Sequence, residues 1–555
     1  MRTWAALALA MSVAAGAHGS PADEDAAARA FVALRSGKLS AQEAGAQVRA
    51  FTEAMDRASL RNTATVGLFM VAAQEDEAGT AAGREVQKRA VDDGVALGLT
   101  LRFPPSRLEP AAVVRVARAH LEQALVLAPP QEGEAFATMA TPDSPGLLPA
   151  AAGASVRAAA PEEPGAPIVS AVQRLARAEL DRARQIAAQV PARDPAEGEA
   201  HEVSALAALA AGDTATAEQE FEAVTRIAAR GDAAVERREN ALLQLARLAY
   251  ARGDDARAQA LYAKVSRAAP QWLDALFESS WSHFRRGQDE KALGNLLTLH
   301  APFFQGRYFP ESNVLKALVL YENCRYAEAR RALQDFEVRY RPVHDALVRA
   351  LSTWPTPQSL VDALMAGARS LLAAVPETVR PDLKRLLSTP ETELGMRQIA
   401  AMGAELDSID RRGLPFRSSA LALVVIPQVR AARLDLMQRI GDRARSVISL
   451  ERSELRELLG QALRLDFEIA GREKELAEEP APSAQVTPRR PRTQVEDDEE
   501  LWPFQGEYWR DELGSYRFQL SDRCARPAKA PVQETRVPAR SRPAATAADS
   551  AATPP

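Results

Sequence analysis

The chain has 555 residues, 69 of them basic and 74 acidic, for a formal net charge of -5, and it is 46% hydrophobic but only 5% aromatic. Balanced, interspersed charge excludes the basic footprint of a nucleic-acid binder, and Ala, Leu, Arg and Glu enrichment favours helices over large sheets. At this length one ordinary core is not expected, whereas a repeat array can grow without splitting.

Residues 1–19 have the layout of a secretory signal peptide: Arg2, an apolar run from Trp4 to about Ala15, and small residues at Ala15, Gly16 and Ala17 before the polar switch at PADEDAAARA. That run is too short for a permanent anchor, and no later stretch offers about 18 uninterrupted apolar residues. The expectation is a mature chain outside the cytoplasm with no membrane span. Two cysteines, Cys324 and Cys524, can persist as a disulfide in an oxidising compartment. The alternative is one buried and one exposed thiol.

Residues 22–127 read as an N-terminal helical region broken near Gly37, Gly79, Gly98 and the Pro104 and Pro105 pair. Residues 128–167, rich in Pro, Gly and Ala, read as a flexible linker. Helical periodicity resumes at about Ile168.

The strongest internal signal lies within residues 168–345. In LLQLARLAYARGDDARAQALYAKVSRAAP, Ala246 is a small residue at a helix crossing, Gly253 and Asp254 make a turn, and Ala258 is a second small residue. Tyr262 fills the interface and Pro270 ends the second helix. Ser280, Gly287 and Ala292 repeat this set 34 residues later. A third copy reads Ala205, Gly212, Ala217 and Phe221, and a fourth reads Ala317, Cys324, Ala329 and Leu333, with Cys324 at the turn-glycine position. This is the register of tetratricopeptide (TPR) repeats, pairs of helices stacked into an α-solenoid. Degenerate copies are suspected near 110–127 and 171–191. The expected fold is all-α: a TPR-like solenoid flanked by long helices and disordered linkers and tail.

Residues 346–476 read as a C-terminal helical region. A heptad frame places Leu434, Ile448, Leu455, Ala462, Ile469 and Leu476 at a, and Met437, Ala444, Leu458 and Leu465 at d. Gly441, Glu451 and Arg472 interrupt it. The seam fits either a long helix packed within the monomer or a coiled-coil homodimer. Residues 477–500 are a charged Pro-rich linker, and 525–555 a Pro- and Ala-rich disordered tail. Between them, 501–524 concentrate aromatics, including Trp502, Phe504, Tyr508 and Trp509. Such density implies burial. The segment either docks on the solenoid as a cap, bringing Cys524 toward Cys324, or carries a partner-binding motif.

No catalytic residues are expected. There is no HExxH, GxSxG, P-loop or GxGxxG pattern, and no two histidines have the i, i+4 spacing of a helical metal site, so neither cofactor nor metal is expected. The candidate site is a binding surface on the first helices of the repeats: Tyr250, Phe284 and Tyr321 in equivalent positions, with Phe277 and Trp281 on the same side as Phe284 and Arg285 at the rim. The same rings fit equally as packing between repeats.

Two blocks, EKALGNLLTLHAPFFQGRYFPESNVLKALVLYENCRYAEA and LWPFQGEYWRDELGSYRFQLSDRC, resemble a family of exported TPR proteins of myxobacteria and related bacteria. The resemblance implies a periplasmic, non-enzymatic component of an envelope-spanning gliding and adhesion machinery, whose partners are other envelope or motility proteins. A general adaptor for envelope or outer-membrane assembly, and a peptidoglycan-associated hydrolase or regulator, are the competing functions.

Overall fold

In the computed structural model, described residues are 20–36, 38–75, 110–127, 167–304, 306–366, 380–387, 390–478 and 499–520, together with Gly94, Leu97, Leu99 and Glu377. The expected signal peptide, nearly all of the 128–167 linker, most of the 477–500 linker and the 525–555 tail therefore lie outside the described residues. The described chain is all-α. Three helices, α1 (Pro21–Arg35), α2 (Ala41–Arg57) and α3 (Arg61–Glu75), open it. The next ten are α4 (Pro110–Leu127), α5 (Pro167–Ala187), α6 (Glu197–Ala210), α7 (Thr214–Arg226), α8 (Asp232–Ala251), α9 (Asp255–Tyr262), α10 (Trp272–Arg285), α11 (Asp289–Leu299), α12 (Pro310–Glu322) and α13 (Tyr326–Thr353). Then come α14 (Pro357–Met365), α15 (Arg380–Leu387), α16 (Pro390–Asp410), a single turn at Leu414–Arg417, and α17 (Ala420–Glu478), which is 59 residues long.

The repeat register is realised as sterics demand. The eight small residues Ala205, Ala217, Ala246, Ala258, Ser280, Ala292, Ala317 and Ala329 are all fully buried, because a larger side chain at a crossing would push the two helices apart. Each helix pair is joined by the same reversal. In the first, the Gly212 N–H donates to the Leu209 carbonyl and the Asp213 N–H to that of Ala208; Gly253, Gly287 and Cys324 head equivalent pairs of bonds. This C-terminal cap needs positive φ, which Gly212, Gly253 and Gly287 supply. Cys324 adopts it too, at φ 55°, the left-handed conformation that costs a non-glycine residue about 1–2 kcal/mol. Asp213 and Asp254 then cap the second helices through the N–H groups of Thr216 and Arg257.

The array begins earlier than residue 168. Helix α4 packs on α5 and both reach α6, as α6 and α7 in turn reach α8. Thus the two suspected degenerate segments form one helix pair whose internal turn is replaced by residues 128–166, and α4 belongs to the array rather than to an N-terminal unit. Ion pairs step along the first helices: Arg118 of α4 meets Glu202 and Glu199 of α6, which meet Arg237 of α8.

Helix α17 ties the chain together. Leu421, Val425, Val429 and Ala432 complete a core with Phe31, Phe51, Val66 and Phe69 of α1–α3 and Met402 of α16. Leu436, Met437 and Ile440 pack on Val361 of α14 and Ile399 of α16. Ala444, Ile448, Leu455, Leu458, Leu465 and Ile469 join the core of the last two repeats. The heptad seam is therefore covered from within the monomer and is not available to a coiled-coil partner; of its a positions, Leu434 and Leu476 stay exposed. Its three interruptions are contact points. Gly441 lies against the Pro357 backbone, Glu451 accepts the Tyr308 hydroxyl, and Arg472 lies near enough to Tyr321 to feel its hydroxyl. Residues 346–476 are consequently not a separate region: α13 runs through position 345, and α17 is part of the cores on both sides.

Gly441→Ala would drive its methyl into the Pro357 backbone, and the expected loss is about 1–3 kcal/mol of stability. Gly471→Ala, in the same helix with open space around it, is expected to gain about 0.5–1 kcal/mol. Thermal denaturation of both variants checks the pair, and equal melting temperatures would contradict the α14–α17 contact.

Candidate functional site

The column on the first helices is largely consumed by packing. Tyr250, in the last turn of α8, is buried beneath the Arg285 guanidinium, whose carbon lies 4.4 Å from the ring centroid. Arg285 also donates to the Tyr250 carbonyl at 3.3 Å and pairs with Asp255 at 3.2 Å, so it is a clamp between repeats rather than a groove rim. Burial pushes the Tyr250 phenol up, against the opposing Arg285 charge. Phe277 is fully buried, 5.7 Å from Phe309 of the following repeat connection. Trp281 and Phe284 stand edge to face at 6.1 Å, half-buried against the last-repeat core. Tyr321 packs on Tyr326 at 5.7 Å. All five rings of the expected column therefore have internal partners, and two of them, Tyr250 and Phe277, are buried. The inter-repeat packing reading describes them.

Sequence reading missed a buried polar chain beside these rings. Arg247 of α8 grips both carboxylate oxygens of Glu278 on α10, at 2.6 and 3.0 Å, and the Tyr262 hydroxyl donates to the same group at 3.0 Å. Glu311, in the first turn of α12, is buried and pushed up to about 8, first by desolvation and then by the Glu278 charge. The Trp281 indole opposes this shift without meeting hydrogen-bond geometry. Glu454 of α17 is raised well above the carboxylate range by burial, Glu451 and Glu311. Tyr308 donates to Glu451, and burial with that charge raises its phenol. Four carboxyl groups thus line the place where α10, α12 and α17 meet, one helix pair's ion pair at one end and a phenol at the other. The signal in the sequence was a glutamate inside each apolar run, LFESSW and PESNVLKALVLY. Among the described residues no group of three or more His, Cys, Asp or Glu is placed to hold a metal ion.

The C-terminal segment docks, but not by its first aromatics. The Gly514 N–H donates to the Thr298 hydroxyl at 2.9 Å, and the Phe518 N–H to the Glu290 carbonyl at 2.9 Å. Arg267 donates to the Asp511 carbonyl and the Ser515 hydroxyl, both at 2.9 Å, and Arg325 covers the Phe518 ring at 5.3 Å. Gly294 of α11 lets the Tyr516 backbone lie directly on the helix; any Cβ there would collide with its carbonyl. Trp502, Phe504 and Trp509 instead stay exposed, and Tyr508 half-buried. They form two ring pairs within the segment, Trp502 with Trp509 at 4.8 Å and Phe504 with Tyr508 at 5.2 Å. Cys324 is disulfide-bonded; the chain's other cysteine, Cys524, lies outside the described residues.

The docking contact at Gly294 yields one expectation. Gly294→Ala should free residues 511–520 while leaving α11 helical, seen as faster amide exchange confined to that segment; unchanged exchange would contradict the contact. Glu311 yields another. Its folded value of about 8 exceeds the ordinary 4.5, so the native state holds the extra proton between these values. The contribution of Glu311 to stability is full below about pH 4.5 and falls as pH rises toward 8. Glu311→Gln should flatten that fall in urea-denaturation profiles, and parallel wild-type and variant profiles would exclude Glu311 as its source.

No family model and no curated protein sequence matches the chain. Among solved structures, one similar chain is described as a "Circular tandem repeat protein with novel repeat topology and enhanced subunit contact surfaces". The match is 13% identical, covers 81% of this chain and 97% of that one, and has a TM-score of 0.16. An overlap that shallow leaves the repeat assignment to the chain's own register and packing.

Proposed function

We propose that the chain is a non-enzymatic periplasmic scaffold that binds other envelope proteins, and that it serves a gliding-motility machinery. The observation that carries the scaffold reading is the exposed aromatic platform of Trp502, Phe504 and Trp509, clamped to a rigid helical-repeat frame. Exposed apolar rings in one rigid patch are the usual mark of a protein-binding surface. Export rests on the layout of residues 1–19, and the motility role rests on the resemblance of the two blocks to exported myxobacterial repeat proteins. No helix among the described residues is long and apolar enough to cross a membrane.

The test is site-specific photo-crosslinking in the native host with the probe at Phe504. Crosslinks to envelope proteins are expected, and Trp502→Ala with Trp509→Ala should abolish them with no change in melting temperature, since both rings are exposed. Crosslinks that survive the double substitution would sink the platform as the binding site. Deletion of the gene, scored for motility and envelope integrity side by side, tests the finer claim: loss of integrity with normal motility would replace motility with envelope assembly.

A further inference from the structure

We propose that the aromatic platform is covered by the chain's own C-terminal tail, residues 525–555, which an external partner must displace. This rests on the platform being the partner-binding surface, and adds its regulation. The platform is strongly exposed, Trp502 by 52%, Phe504 by 49% and Trp509 by 41%, and Phe303 of the solenoid extends it beneath Arg510 at 5.1 Å. Its shape is set before any ligand arrives. Glu507 accepts both the Trp502 indole N–H and the Gln505 N–H, while the Tyr516 hydroxyl bonds both the N–H and the carbonyl of Trp509. Ordering cost on binding is therefore low.

The tail matches this surface in three ways. It carries Pro527, Pro531, Pro538 and Pro543, and proline-rich chain prefers the extended polyproline helix that aromatic surfaces grip. It is basic, with Arg526, Lys529, Arg536, Arg540 and Arg542 against Glu534 and Asp549. The platform's segment is acidic, with Glu499, Glu500, Glu507, Asp511 and Glu512 against Arg510 and Arg517. Arg517 is already paired with Glu499 at 2.8 Å, and guanidinium groups stack well on indole rings. Finally, the tail starts five residues after Leu520, the last described residue of the docked segment. At about 3.1 Å per residue it is long enough to fold back over a platform in that same segment, and a short tether gives an effective concentration on the order of millimolar.

The experiment compares the chain from Ser20 to Pro555 with one ending at Ala525, which keeps both cysteines. A labelled peptide of residues 526–555 is titrated into each and read by fluorescence anisotropy. The shortened chain should bind at least tenfold more tightly than the full chain, where the site is already filled, and high salt should weaken binding. Trp502→Ala with Trp509→Ala in the shortened chain should abolish it. Equal binding to both chains, no binding to either, or binding that survives the double substitution would each overturn the proposal. So would a concentration-dependent dimer of the full chain that the double substitution abolishes, because a second copy would then be the cover. Partner capture is read separately by crosslinking at Phe504, so either idea can fail while the other stands.

Discussion

The apolar face of α17 is the constraint on which the other parts depend. An α-helix rises about 1.5 Å per residue, so 59 residues span roughly 90 Å, and helices in proteins draw most of their stability from packing of an apolar face rather than from their own hydrogen bonds. It persists because three separate cores each claim a part of one face. The N-terminal helices gain their lid from its first third, and the last repeats gain their end cover from its second half. A solenoid needs its terminal hydrophobic faces closed, and here a strut made by the chain itself performs that at one end while reaching α4 near the other. The polar clasps reinforce this. Glu405, just before α17 in sequence, takes the Asn62 and Thr63 N–H groups at the start of α3, both at 2.8 Å, where the helix dipole favours a negative charge. Arg412 reaches back to Glu24 and the Ala58 carbonyl. Bonds that span more than 300 residues carry the loop-closure entropy of the chain between them.

The buried carboxyl groups are the cost of that arrangement. Glu278 is neutralised in place by Arg247, a pair whose geometry satisfies both oxygens. Among the described residues no ion pair reaches Glu311 or Glu454, and burial shifts both toward the protonated form. Protonation removes the repulsion that four ionised carboxylates at one helix junction would exert. The junction between the array and its strut is therefore most comfortable where protons are plentiful.

The repeat frame was readable because its requirement is local: a small residue wherever two helices cross, and a positive φ where the chain reverses. Both leave fixed spacings in the sequence. The α4–α5 pair was harder to read because residues 128–166 replace its turn, removing the punctuation that marks the other copies. Heptad spacing located the buried face of α17 correctly, yet periodicity says which face is apolar and nothing about what lies on it. Its three breaks at Gly441, Glu451 and Arg472 were the informative positions, since each marks where another element touches the helix. The aromatic column misled for a related reason. A ring at a repeat's first helix satisfies packing between neighbours as well as it serves a ligand, and Phe277 against Phe309 shows packing winning. In the C-terminal segment aromatic density pointed to the right stretch but the wrong residues, because the docking is done by backbone at Gly514, Tyr516 and Phe518, which composition does not register.

The interrupted α4–α5 pair carries an engineering consequence. One unit of this array already accepts residues 128–166 between its two helices while those helices still pack on each other and on α6. The reversals at Gly212, Gly253 and Gly287 are the equivalent points of the later units. Their φ values and caps are set by the flanking helix ends rather than by contacts of the loop itself, and nothing lies within 4 Å of a Cβ placed at Gly212 or Gly287. The array is thus a modular rack, and its turn edge offers ports where a fluorescent domain or affinity handle can be spliced without touching the strut that keeps the rack closed.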